Sequence, residues 1–136
     1  MSFFVLDASV WVARLVTRDE FHQAVKVWMA AQRTTNVQFV SPSLLLAEVA
    51  GAISRRSGSV ALAHHAVKQL ETLPGLRLVE MNHALLLEAA TLAADLGLRG
   101  ADSLYVATAK RLGVPLVTFD IDQRERARNQ ISFQTI

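Results

Sequence analysis

The sequence predicts an α/β fold, a three-layer α/β/α sandwich around a central parallel β-sheet of about five strands. Three features carry that expectation. Short runs rich in β-branched and aromatic residues alternate with longer stretches of helical periodicity, the order that successive βαβ units produce. The short runs are apolar at nearly every position, as strands buried on both faces are. Finally, 136 residues, 51% of them hydrophobic, suit one core and one domain over 1–136. No internal repeat, low-complexity tract or Pro/Gly-rich linker divides them.

The elements follow in order. Phe3 to Leu6 is the first strand, and a short helix lies near Ser9 to Val16. A helix over about Asp19 to Arg33 carries Phe21, Val25, Trp28 and Met29 at helical spacing. Phe39-Val40 is a short buried strand. Ser41-Pro42-Ser43 reads as an N-cap with proline in the first turn, opening a helix that runs to about Ser57 and ends at Gly58. Val60 to Leu73 is helical and stops at Pro74-Gly75. Leu76 to Val79 is a strand, and Asn82 to Leu96 a helix closed by Gly97. Gly100-Ala101-Asp102 opens the next helix, which ends at Leu112-Gly113. Val114 to Phe119 is a strand, Gln123 to Arg128 a short helix and Ile131 to Phe133 a last strand. Trp11 and Trp28 are expected in the core or at an interface.

Composition narrows the chemistry. Cysteine is absent, which excludes a disulfide framework, a thiol nucleophile and a cysteine zinc site. The segment Met1 to Asp7 lacks the basic start and long apolar stretch of a signal peptide, and runs such as Leu44 to Ala47 are too short to cross a bilayer. A soluble, cytoplasmic protein with no membrane partner is expected. The formal charge is only +2, but 11 of the 14 basic residues are arginine, which grips phosphate with two parallel hydrogen bonds. His22, His64, His65 and His83 show no ligand spacing and read as surface or core residues.

In parallel sheets, ligands bind beyond the carboxyl ends of the strands. Asp7 directly follows the first strand, and Asp120 directly follows Leu116-Val117-Thr118-Phe119. Glu48 lies among apolar neighbours in the middle of its expected helix, on one face with Leu45 and Ala52, where an ionised carboxylate needs compensation. Asp102 opens a helix whose next positions, Tyr105, Val106 and Ala109, face the core. Each acid taken singly also reads as a helix cap or a solvated side chain. Four carboxylates brought together cannot all stay ionised without a counter-charge, and oxygen-only ligands suit Mg²⁺ or Mn²⁺ rather than zinc.

These residues resemble a known family. Phe4-Val5-Leu6-Asp7-Ala8-Ser9 resembles the opening of PIN domains, and Glu48 within Ser43 to Val49 resembles their second acid. Leu98 to Ala107 is similar to the third motif of VapC-type toxins, and Val117-Thr118-Phe119-Asp120 to the fourth. The resemblance covers essentially the whole chain. It implies a PIN-like fold, Mg²⁺- or Mn²⁺-dependent endoribonuclease activity, usually a homodimer, and a small VapB-type antitoxin partner. It places Asp7, Glu48, Asp102 and Asp120 in the four acidic positions, with Ser9 and Thr118 as neighbouring hydroxyls. Asp122 is a candidate fifth acid.

On this reading Asp7 and Asp102 are the main metal ligands, helped by Glu48 and Asp120 directly or through water. Arg55, seven residues after Glu48, and Arg99, just before Asp102, are expected to hold the RNA backbone. Arg124, Arg126 and Arg128 alternate with Glu125 and read as a solvated face. A phosphotransferase of the haloacid-dehalogenase type would need an acid where Ser9 stands. A receiver domain would need an early acidic pair and a late lysine, and the six scattered glycines form no phosphate-cradling loop. The alternative from another class is a PIN-like module that binds RNA or protein without cutting.

Overall fold

The computed structural model of the protein describes residues 2–136. The chain runs β1 (Ser2–Leu6), α1 (Ala8–Leu15), α2 (His22–Thr34), β2 (Val37–Pro42), α3 (Leu45–Ser57), α4 (Val60–Glu71), β3 (Leu76–Val79), α5 (His83–Leu96), α6 (Gly100–Leu112), β4 (Leu116–Val117) and α7 (Ile121–Ala127). The four strands form one parallel sheet in the order β3-β2-β1-β4. Side-chain alternation along β1 and β2 splits the core into two layers. Leu6 and Phe39 join Val10, Trp11, Val25, Met29, Leu45 and Val49 on one face. Val5 and Val40 join Leu85, Tyr105, Val106 and Leu116 on the other. The expected α/β/α sandwich is therefore present. Trp11 is 1% exposed, and Trp28 stacks between Phe4 and Phe39, so both tryptophans serve the core. Among the described residues, no helix is long and apolar enough to cross a membrane.

Four local expectations are corrected. Ser41 and Pro42 complete β2 instead of capping α3, which starts at Leu45 with no side-chain cap at Leu44. The pairing of β1 with β2 stops at Val5–Val40, so the amide proton that Pro42 lacks is not needed for that ladder. The hydroxyl of Ser41 is buried within the fold: it donates to the Leu6 carbonyl (2.6 Å) and accepts from Trp11 Nε1 (3.3 Å). The strand expected over Ile131 to Phe133 shrinks to a single parallel bridge, Leu116 with Phe133. That bridge consists of Leu116 N donating to the Ser132 carbonyl and Gln134 N donating to the Leu116 carbonyl, both 3.0 Å. The strand expected from Val114 pairs only at Leu116 and Val117. Pro115 offers a carbonyl to Val5 N (2.9 Å) but has no N–H of its own to donate. The helix expected from Asp19 begins at His22. Asp19 Oδ1 instead accepts from Phe21 N (2.8 Å) in an aspartate turn.

Ser41→Ala should lower stability by about 1–3 kcal/mol, because it strands the buried Trp11 N–H and the Leu6 carbonyl. Urea unfolding followed by tryptophan fluorescence measures this, and an unchanged midpoint would contradict the role given to this hydroxyl.

Candidate active site

The strand order reverses at β1. The chain passes outward through β2 and β3, then returns to place β4 on the other side of β1. A crevice opens at such a switch point, beyond the carboxyl ends of β1 and β4. Asp7 leaves β1 into it and caps α1, its side chain accepting from Ala8 N (2.8 Å). Its other oxygen, Oδ2, accepts from the hydroxyls of Ser9 (2.9 Å) and Thr118 (2.7 Å). Both hydroxyls also accept: Ser9 Oγ from Phe119 N (3.2 Å), and Thr118 Oγ1 from Asp120 N (3.0 Å). Ser9 and Thr118 thus stand beside Asp7 and tie the ends of β1 and β4 together. Burial pushes the Asp7 carboxyl above its usual range, the three hydrogen bonds pull it back, and the Asp120 charge raises it further.

Glu48 and Asp102 reach the same crevice from helix starts. Glu48 lies in the first turn of α3, because that helix begins later than the sequence suggested, and Asp102 lies in the first turn of α6. Both helix dipoles favour a negative charge there. That gain is outweighed. Asp102 is pushed up to about 6, first by burial, then by the charges of Asp7, Asp120 and Glu48, with Arg99 opposing. The Arg99 contact is long (3.9 Å) and its side chain is 80% exposed, so solvent screens it. Glu48 is raised by burial and by Asp7, with the Tyr105 hydroxyl close enough to pull the other way. Hydrogen-bond geometry between the two is not met: Glu48 Oε1 and the Tyr105 hydroxyl are both buried without a partner among the described residues. Burial and the neighbouring carboxylates push the Tyr105 phenol far up, so it stays neutral.

Asp120 caps α7, its Oδ1 accepting from Gln123 N (3.1 Å), and its charge acts on Asp7 and Asp102. Asp122 is turned elsewhere. It is exposed and receives the Arg126 guanidinium on both oxygens at 3.0 Å. Arg55 is exposed, and its guanidinium lies back over Gly51 toward the Glu48 end of α3, with Nη1 3.0 Å from where a Cβ would stand.

Four acids from four separate elements therefore act on one another at the switch point. Among the described residues, no group of three acidic or histidine side chains is arranged to close around a single ion. The fit to a divalent cation is one of charge and donor type: oxygen donors only, a surplus of desolvated negative charge, and Glu48 Oε1 without a partner. Closing a three-ligand shell would take side-chain rotation or bridging water.

Two residues near the site were not singled out from the sequence. Gln123 is fully buried, and its Nε2 donates to the Asp102 carbonyl (3.3 Å), linking α7 to the start of α6. Its place three residues after the Asp120 cap was the available signal. Arg124 departs from the expected solvated face. It is half-buried, with Nη2 donating to the Thr118 carbonyl (2.9 Å) and Nε buried without a partner. Arg126 and Arg128 do pair on the surface, with Asp122 and Glu125.

The sequence model of the PIN domain family matches residues 4–129. Among solved structures, the chain is similar to VapC20 of Mycobacterium tuberculosis, described as a sarcin-ricin-loop-cleaving toxin. That pair has a TM-score of 0.77 and 21% identity over 91% of this chain and 94% of the other. It is also similar to VapBC2 of Rickettsia felis, solved with a DNA fragment from its promoter, at a TM-score of 0.75 and 16% identity over 98% of both chains. FitAcB of Neisseria gonorrhoeae gives a TM-score of 0.67 and 19% identity over 96% of each. No curated protein sequence matches the chain.

Two outcomes follow from the geometry. The Asp102 carboxyl moves from 3.8 to about 6 on folding, so between those values the folded chain holds a proton that the unfolded chain has released. Stability must then fall as pH rises through that window. The thermal midpoint should be higher at pH 5 than at pH 7.5, and Asp102→Asn should shrink that difference. A wild-type difference that Asp102→Asn leaves intact would contradict the assignment. Separately, Tyr105→Phe removes a buried hydroxyl without a partner and should leave stability unchanged or higher. A loss above about 1 kcal/mol in urea unfolding would mean that the hydroxyl is hydrogen-bonded.

Proposed function

Since the chain belongs to the PIN domain family, we propose that it is a Mg²⁺- or Mn²⁺-dependent endoribonuclease, and the toxin of a VapBC-type pair. One observation carries the reading: Asp7, Glu48, Asp102 and Asp120 come from four separate elements to the carboxyl ends of β1 and β4, where burial and the neighbouring carboxylates raise the proton affinity of Asp7, Glu48 and Asp102. Asp7 and Asp102 would hold the metal, with Glu48 and Asp120 as direct or water-linked ligands. A divalent ion held there lowers the pKa of a water molecule and offsets charge on the phosphate oxygens. The protein's own part is to fix Asp7 through Ser9 and Thr118, and to keep an unpartnered Glu48 oxygen available to accept a hydrogen bond. Arg55 and Arg99, both exposed at the rim, would hold RNA phosphates. The similarity to VapBC2 and FitAcB supports an antitoxin partner. A homodimer in the cytoplasm completes the proposal.

A second reading, a PIN-like module that binds RNA or protein without cutting, is favoured by one observation. The acids do not stand ready as a three-ligand group.

Labelled single-stranded RNA incubated with purified protein and Mg²⁺ or Mn²⁺ decides between them, with EDTA as control. Metal-dependent cleavage is expected. Asp7→Asn and Asp102→Asn should each lower the rate by about 100-fold or more, in line with the loss of a catalytic group. Intact RNA in every lane, or wild-type rates from both variants, would leave the non-catalytic module standing.

A further inference from the structure

Beside the acids lies a cleft that the scheme above uses only at Ser9, Glu48 and Arg55, leaving its aromatic wall without a role. It has a volume of about 350 Å³ and lies between the start of α1, α3 and the turn before α2, with Ser9 and Glu48 among its lining. Its wall is aromatic. Phe21 stacks on Phe119 at 4.3 Å between centroids, with the planes 13° apart. Phe119 covers one face of Phe21, yet Phe21 remains 40% exposed. The backbone that carries this exposed ring is held in place. Its backbone N–H donates to Asp19 Oδ1 (2.8 Å), and Asp19 is fastened in turn by Arg56 (3.0 Å). The backing ring is tied to the acid cluster, because Phe119 N donates to Ser9 Oγ, the same hydroxyl that donates to Asp7. Phe119 also sits between Thr118 and Asp120 in the chain, so the platform and the acids share one loop.

The charge around the cleft selects the kind of ligand. Asp19, Glu20 and Glu48 line it against Arg55 and Arg56, so acids outnumber bases by one. Asp19 already binds Arg56, which leaves Arg55 to meet the RNA backbone and the aromatic wall to an uncharged group. A flat, neutral group with N–H donors along its edge is well served: the ring supplies a stacking surface, and Glu20, exposed and in no ion pair among the described residues, supplies an acceptor. A nucleobase has these properties. We propose that this cleft is a base-binding subsite, in which the base of a nucleotide next to the cleaved phosphate in single-stranded RNA stacks on Phe21, with Glu20 favouring bases that carry an amino group. The proposal rests on the nuclease reading for its substrate.

The test is fluorescence anisotropy with a labelled single-stranded RNA 12-mer of mixed sequence, in Ca²⁺ in place of Mg²⁺, alongside a matched oligonucleotide of abasic residues. Phe21→Ala should weaken RNA binding about tenfold, the usual loss for one stacked base. Phe21→Trp should bind within about twofold of wild type, since any large aromatic face serves for stacking. Phe21→Leu should stay weak while keeping the wild-type thermal midpoint, which separates a lost platform from a damaged fold. The abasic probe should bind wild type and Phe21→Ala equally. Unchanged RNA affinity in Phe21→Ala, full affinity in Phe21→Leu, or an equal loss on the abasic probe would each overturn the subsite. In the first case the cleft is left to a protein partner. Cleavage measured in parallel keeps the two readings apart. A protein that never cuts RNA but shows this binding pattern retains the subsite and loses the nuclease activity. One that cuts RNA while Phe21→Ala binds normally does the reverse. A wild type that binds no RNA ends both.

Discussion

The arrangement hangs on a hydrogen bond between residues 111 positions apart, from Thr118 Oγ1 to Asp7 Oδ2 at 2.7 Å. It joins the ends of the two strands that flank the switch point. A carboxylate as buried as Asp7 pays heavily for lost water, and three donors return part of that cost. The same hydroxyl accepts from Asp120 N, so the bond that steadies Asp7 also sets the path of the loop bearing Asp120. The ladder alone would not hold this join, because β4 contributes two residues to the sheet.

Around that join, the sheet and its helices aim charge from three directions. Strand ends deliver Asp7 and Asp120, while the first turns of α3 and α6 deliver Glu48 and Asp102. Helix starts are favourable places for acids, but the dipole's contribution of about 0.3–1 kcal/mol per charge is small beside desolvation and mutual repulsion. Asp102 decides the contest. Despite its helix start and a nearby arginine, its carboxyl is pushed up to about 6. Gln123 and Arg124 hold the far side by binding the carbonyls of Asp102 and Thr118. The negative charge is thus concentrated by backbone geometry and, among the described residues, left without a protein cation at its centre.

Much of this was legible because it follows from order along the chain. An acid just beyond an apolar run must stand near the carboxyl end of the strand in that run, which placed Asp7 directly after β1 and Asp120 in the loop after β4. Glycines at the left-handed helix ends, Gly58, Gly97 and Gly113, marked where helices stop. What was not legible depended on contacts between distant segments. Ser41-Pro42 has the local chemistry of a helix cap, but β3 and the Trp11 N–H, 30 residues away, draw it into the sheet. The Glu48 position shifted from mid-helix to first turn for the same reason. Arg124 sits in an alternating run that looks solvated, and only the path of β4 brings the Thr118 carbonyl to it. The partnerless oxygens of Glu48 and Tyr105 have no sequence signature, since their meeting depends on how α3 and α6 pack on the sheet.

The four acids also differ in how firmly they are held, and that difference bears on how the site would work. Asp7 accepts three hydrogen bonds and is nearly sealed from water. Asp120 accepts one from its own helix, Asp102 has only a long contact to an exposed arginine, and Glu48 keeps a buried oxygen free. One anchored carboxylate facing three loosely committed ones is not a rigid cage, which accords with the lack of a three-ligand group among the described residues. It is an arrangement in which the anchor sets a location and the others turn toward whatever positive charge arrives. Assembly would then be driven by relief of repulsion rather than by a preformed geometry. On the proposed reading, binding of metal and RNA backbone would be coupled, since each brings or answers charge that the folded chain leaves unbalanced.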